Sequence, residues 1–278
     1  MDASVVVGGL TNVAFGDFSV IGGGRWNFIQ TNAPYATVGG GRSNRIANSA
    51  SDATISGGRS STINTGAIYS VIAGGMSNRV ESFSGFSVIG GGANNTASNA
   101  YATVPGGHLN VAGGQFSFAS GFRAKAHHNG SIVWGDATNA DIVSTTNNQA
   151  TFRASGGFRI FSNTNATIGV TLAPNASAWA PLCDREAKEN FEPIDTAVIL
   201  QQVAALPLSA WTYKHDPDKR RYIGPVAQDF QAAFGLGDNT TINTLDADGV
   251  AFAAIQALAE ENERLRMELE AIKRHLGL

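Results

Sequence analysis

The chain has 278 residues, 33 glycines, 15% charged residues and a net charge of -3, against usual shares of about 7% glycine and about 25% charge. The balance of 19 basic and 22 acidic side chains offers no field for nucleic acid, and a single cysteine excludes an intrachain disulfide or a thiolate metal site, so no cofactor and no metal are expected. The start, MDASVVVGGL, has no basic segment ahead of an apolar one, and no apolar run reaches membrane-spanning length, so no membrane insertion is expected.

Composition changes sharply at Leu182. Residues 1–182 hold 28 glycines with 9 Lys/Arg and 6 Asp/Glu, whereas residues 183–278 hold 5 glycines with 10 and 16. The first part is a repeat: SVVVGGLTN from Ser4, SVIGGGRWN from Ser19, ATVGGGRSN from Ala36, ATISGGRSS from Ala53, SVIAGGMSN from Ser70, SVIGGGANN from Ser87 and ATVPGGHLN from Ala102, with weaker copies from Ser117 and Ser131. Successive starts lie 15, 17, 17, 17, 17, 15, 15 and 14 residues apart, too short for helical-pair repeats and right for one coil of a β-solenoid. Each copy pairs a short β-branched strand with a glycine turn such as Gly8-Gly9, Gly40-Gly41 or Gly74-Gly75. Most copies end in asparagine (Asn12, Asn27, Asn44, Asn78, Asn95, Asn110), a residue that tolerates left-handed backbone and whose amide can bond along the coil axis. No helix pattern and no Gly-Lys-Ser/Thr follow these turns, so Gly22-Gly23-Gly24 is a tandem turn rather than a phosphate loop.

These copies resemble the head repeats of trimeric autotransporter adhesins of the YadA type. The resemblance implies a left-handed parallel β-roll in a homotrimer, the inner strand of each coil facing the axis. The longer repeats predict bulged outer loops at 30–35 and 48–52. Beyond them, SIVWGD, ATFRASGGFRIF and ATIGVTLAP read as the short strands of a stalk, with Trp134, Phe152, Phe158 and Phe161 filling its core. The adjacent His127-His128 pair points to opposite faces if extended and makes no metal site. The expected domains are the roll at 1–135, a stalk at 136–182 and an α+β domain at 183–278 that ends in a helix from about residue 250. The fold class is thus mostly β, a trimeric solenoid and stalk followed by an α+β domain.

In that last part Ile255, Leu258, Asn262, Leu265, Leu269, Ile272 and Leu276 alternate at three and four residues, the seam of a coiled coil, with Asn262 as a register-setting polar position. The text from Leu182 onward is similar to the intramolecular chaperone domain of endosialidase-type phage tailspikes and fibres. It carries Cys183-Asp184 with Lys188-Glu189-Asn190, a Gly-x-x-Ala-Gln segment at Gly224–Gln228, and Asp246-Ala247-Asp248-Gly249 as a turn before the helix. The resemblance implies a trimerisation chaperone released by self-cleavage, here between Leu182 and Cys183. Cys183 as nucleophile and Lys188 as base would be supported by Asp184 and Asn190. Cys183 stands where the family has serine, which puts cleavage in doubt.

The reading is a structural, surface-binding homotrimer of a virion tail fibre or a cell surface, with a glycan or protein receptor, and at most single-turnover autoproteolysis. Its rivals are a bacterial adhesin head without cleavage and a glycan-cleaving spike. The latter is poorly supplied, since the first 182 residues hold only Asp2, Asp17, Asp52, Glu81, Asp136 and Asp141 as carboxylates, with no closely spaced pair.

Overall fold

The computed structural model describes residues 3–277; Asp2, one of the carboxylates named above, lies outside them. It falls into two units, one of residues 1–159 with 172–179 and one of residues 160–171 with 180–278.

The first unit is a β-solenoid of about nine turns. Each coil holds two short strands rather than the single one expected. One parallel sheet stacks Val5–Val6, Val20–Ile21, Thr37–Val38, Thr54–Ile55, Val71–Ile72, Val88–Ile89 and Thr103–Val104, and runs on through Phe118–Phe122, Ile132–Gly135 and Ala150–Arg153. The other stacks Val13–Ala14, Phe28–Ile29, Arg45–Ile46, Thr62–Ile63, Arg79–Val80, Thr96–Ala97 and Val111–Ala112, then Ala124–Ala126 and Ile142–Val143. A third row of single bridges joins Leu10, Arg25, Arg42, Arg59, Met76, Ala93 and His108. Register is one coil throughout, as in Val20↔Thr37 and Ile21↔Val38. This alternation sends the second residue inward in most of the two-residue strands. Ile21, Val38, Ile55, Ile72 and Ile89 form one fully buried row, and Ile29, Ile46, Ile63 and Val80 the facing one. Each isoleucine so buried contributes on the order of 2 kcal/mol.

The corners explain the repeat. At Gly41, φ is +87° and an added Cβ would meet Gly58 O at 2.1 Å, so only glycine lets neighbouring coils approach. The left-handed residue at the next corner is the one before the asparagine (Trp26, Ser43, Ser77, Asn94, Leu109), not the asparagine itself. The buried asparagine instead bonds along the axis. Asn27 Nδ2 donates to Gly23 O and to Gly41 O of the next coil at 3.0 and 2.9 Å, and its Oδ1 accepts from Asn44 N at 3.0 Å. Asn44, Asn78, Asn95 and Asn110 repeat the bonds to the two glycine carbonyls. Ser61 interrupts the series; its hydroxyl reaches only Asn78 N, at 3.4 Å.

At the opposite corner a second left-handed position carries aromatic rings. Tyr69, Phe86, Tyr101 and Phe116, with φ of 56°, 60°, 60° and 58°, stack coil upon coil at 5.1, 5.0 and 4.9 Å. Phe18 and Tyr35 stack likewise at 5.3 Å, and Asp52 (φ 57°) occupies the same corner between the two groups. The left-handed turn costs a residue with a Cβ about 1 kcal/mol. It aims each N–H at the preceding coil, as in Tyr69 N to Ser51 O and Phe86 N to Ile68 O, and ring stacking offsets the remainder.

The segments 30–35 and 48–52 do not bulge outward. Each makes two consecutive tight turns that return Ala33 or Ala50 to the core at 0% exposure, a corner with room for a methyl group and little more. Trp134 and Phe152, expected in a core, sit on paired strands with their side chains 37% and 50% exposed in one chain. The amides of His127 and His128 both donate to Ser144 Oγ, and His128 Nδ1 lies 2.8 Å from the same oxygen. The last parallel strand is pinned by Asp136, which accepts from Ser155 N at 2.7 Å and Arg153 Nε at 2.8 Å. Those bonds, the Ser155 amide first, hold its carboxyl well below the usual range.

In the second unit Gly169–Leu172 pairs antiparallel with Ala180–Pro181. Three helices follow: α1 (Thr196–Ala205), α2 (Ala227–Phe234) and α3 (Thr244–Leu276), with an antiparallel pair Ser209–Trp211 and Tyr222–Gly224 between the first two. Asp195 caps α1 by accepting from Ala197 N and Val198 N. The expected turn at 246–249 is helical. Asn243 Oδ1 accepts from Leu245 N, which starts α3 at Thr244, and Asp246 in its first turn complements the helix dipole. Val250, Ala253, Ala254 and Ala257 form the buried face of α3, and the helix packs on α1.

Candidate functional site

The composition break at Leu182 is also where a compact local geometry sits. Leu182 continues the antiparallel edge, its N–H donating to Gly169 O at 2.9 Å, so the residue before the break is tied to a strand. The chain then turns at once. Asp184 Oδ1 accepts from Glu186 N at 3.1 Å and caps a single 3-10 turn over Arg185–Ala187, whose end is closed by Lys188 N donating to Arg185 O at 3.1 Å. The turn brings Lys188, five residues on, back beside Cys183. Lys188 Nζ donates to Cys183 Sγ at 2.7 Å.

Of the residues singled out from sequence, Cys183 and Lys188 are therefore in contact and Asp184 shapes the turn that joins them. Asn190 lies just beyond, in left-handed backbone at φ 58°, where the chain turns away. Beside it the Arg185 guanidinium lies over the Phe191 ring at 4.6 Å. Sequence reasoning passed over the anchoring of Leu182; its signal is the strand pattern of Gly169–Leu172, which supplies the accepting carbonyl. Cys183 and Lys188 are both exposed.

Residues 183–236 match the family model described as chaperone of endosialidase. The match opens on Cys183 itself and closes just after α2, leaving α3 outside. No match to the chain was found among curated proteins. The matched segment thus holds the thiol–amine pair, α1, the antiparallel strand pair and α2, including Gly224–Gln228 at the entry to that helix. Tyr222 stacks on Trp211 at 4.9 Å and holds the strand pair together.

The seam residues occupy a different stripe of α3 from the one that packs on α1. Ile255, Leu258, Leu265, Leu269, Ile272 and Leu276 are 46–63% exposed, and Asn262 Nδ2 turns back to Leu258 O at 2.9 Å. Within one chain this leaves a continuous apolar stripe in water. Among the described residues no helix is long and apolar enough to cross a membrane.

Proposed function

We propose that this chain is a homotrimeric, surface-binding fibre or tailspike protein of a virion, whose domain at 183–278 is an intramolecular trimerisation chaperone. The observation that carries the proposal is the junction: a β-solenoid joined to a segment similar to the chaperone of endosialidase, the match starting at the cysteine that lies 2.7 Å from Lys188 Nζ. The exposed seam of α3 supports assembly through a coiled coil. The roll, the stalk at 136–182 and the chaperone then have separate tasks: display, spacing and alignment of three chains.

Alignment needs a separate element because a repeat whose coils pair by the same two-residue strands admits registers offset by one coil. A C-terminal seed fixes one register. In the proposed release, Lys188 takes the Cys183 thiol proton and the sulfur attacks the Leu182 carbonyl carbon. The new S–C bond replaces the Leu182–Cys183 amide, whose nitrogen leaves with the proton as a free amine. Water then hydrolyses the thioester to a Leu182 carboxylate and a free thiol. Cys183 and Lys188 are both exposed in a single chain, and in the proposed scheme assembly precedes the cut.

Light scattering and intact mass test both halves. A trimer has three times the mass of the 28.9 kDa chain, and a stable monomer at micromolar concentration overturns the proposal. Cys183→Ser restores the family's nucleophile and is expected to cut before residue 183, with Lys188→Ala in that background uncut and the parent cut more slowly than Cys183→Ser or left intact. A Cys183→Ser trimer that keeps full mass, or a cut mapped elsewhere, removes the cleavage half and leaves the chaperone half standing.

A further inference from the structure

The third face of the solenoid carries a row of cations that the coil does not require. Arg25, Arg42 and Arg59 bridge to one another in parallel on three consecutive coils, one guanidinium per rung of about 4.8 Å. Their amides are fixed to Gly41 O, Gly58 O and Gly75 O at 2.9, 2.9 and 2.8 Å. The same row accepts Leu10, Met76 and Ala93 on other coils, so arginine is not demanded by backbone geometry. Like charges stacked this closely repel. Among the described residues none of the three pairs with a carboxylate, whereas Arg79, Arg123 and Arg153 of the same solenoid each do.

Two further features lie against this row. Trp26 stands at a left-handed corner (φ 60°) where the next three coils use serine, a strained choice for a bulky ring. Its face takes the Arg25 guanidinium at 3.9 Å and the Arg42 guanidinium at 5.9 Å. The ring therefore holds the first two forks in place. Ser43, Ser60 and Ser77 occupy the corner beside the row, a line of hydroxyls parallel to the line of cations.

We propose that Arg25, Arg42 and Arg59, positioned by Trp26 and flanked by Ser43, Ser60 and Ser77, bind a linear acidic polysaccharide laid along the solenoid axis. Planar guanidinium forks meet carboxylate or sulfate groups in paired hydrogen bonds, and the serine row meets sugar hydroxyls. An acidic peptide would leave that hydroxyl row unused. The inference rests on reading the solenoid as the surface-binding part of a trimeric fibre, and it names the face and the chemical class of the receptor.

The test is calorimetric titration of the full chain at about 0.15 M salt with polygalacturonate, dextran sulfate, neutral dextran and polyglutamate. Binding to one or both acidic polysaccharides is expected, with polygalacturonate and dextran sulfate separating carboxylate from sulfate, and none to neutral dextran. Each Arg→Ala change, which places on the row the residue already present at Ala93, is expected to weaken binding about tenfold. Arg45→Ala on the neighbouring sheet is expected to leave it unchanged. Trp26→Ser is expected to weaken binding without moving the melting temperature down, since it relieves the strained corner. Equal binding to polyglutamate, equal loss with Arg45→Ala, or a folded trimer that ignores every acidic polysaccharide overturns the site. The last outcome leaves the fibre reading intact, because the trimer is measured on the same sample; a monomer defeats that reading instead.

Discussion

The solenoid and the domain after Leu182 solve the burial problem in opposite ways. In the solenoid, isoleucine, valine and alanine from successive coils reach 0% exposure within one chain, and the asparagines sealed in with them bond from coil to coil, though Ser84 Oγ and Thr151 Oγ1 are buried without a partner. Among the described residues the C-terminal domain buries only Phe230, Val250, Ala253, Ala254 and Ala257 of its apolar side chains, while Leu208, Ile223, Phe252 and the seam of α3 remain exposed. Trp211 Nε1 is buried there without an acceptor. A one-dimensional stack completes its core by adding the next coil of the same chain; the C-terminal domain leaves its apolar stripe uncovered within one chain, and in the proposed trimer other chains would cover it.

The seam offers the largest way to break this contrast. Leu265→Asp with Leu269→Asp puts charge on the stripe at two successive positions. The variant is expected to lose the trimer outright, read as a drop in mass by light scattering; retained trimer would place assembly in the solenoid instead. Next in size is Asn44→Ala, which removes the side-chain amide bonded to Gly40 O and Gly58 O, the latter keeping the Arg42 N–H, and strips Ser61 N of its side-chain acceptor in a buried corner. It is expected to cost about 2 to 4 kcal/mol, read from denaturant melts of the solenoid. The converse is smaller. Ser61→Asn completes the one gap in the row and is expected to add about 1 kcal/mol by the same melts.

The smallest effect concerns acid. Hydrogen bonds from the Thr240 hydroxyl and amide, then from Thr241, hold the Asp238 carboxyl down at about 2. A depressed carboxylate lends stability that is complete above its unfolded value of about 3.9 and is lost as pH falls toward 2. Melts of the C-terminal domain are expected to soften across that window, and Asp238→Asn to remove the dependence.

Much of the solenoid was legible because its code is local: a β-branched pair, a glycine turn and an asparagine every 15 to 17 residues. What escaped was local in a different sense. The second strand of most coils is only two residues long, and some copies read Arg-Ile, Arg-Val or Thr-Ala, too short a pattern to stand out in the sequence. The aromatic corner was missed because a left-handed Tyr or Phe runs against expectation and gains its reason only from a ring one coil away. At the junction, spacing alone put Cys183 and Lys188 five residues apart, and the 3-10 turn that joins them was signalled by Asp184. The turn expected at 246–249 failed because Asp and Gly were read as breakers, while Asn243 had already started the helix. The alanine face of α3 stayed hidden, since alanine adds little contrast to a hydropathy pattern that the exposed leucines dominate.

Two gaps in the axial rows fall together. Asp52 breaks the aromatic stack and Ser61 breaks the asparagine row, and both belong to the same stretch of chain around the coil that starts at Ala53. Asp52 leaves one junction of this coil without a ring contact but with the Asn44 clamp on Gly58 O and Ser61 N, and Ser61 leaves the other without the clamp but with Tyr69 stacked on Phe86. Under tension along the axis, these two junctions, each short of one side-chain tie, are expected to part before those that carry both.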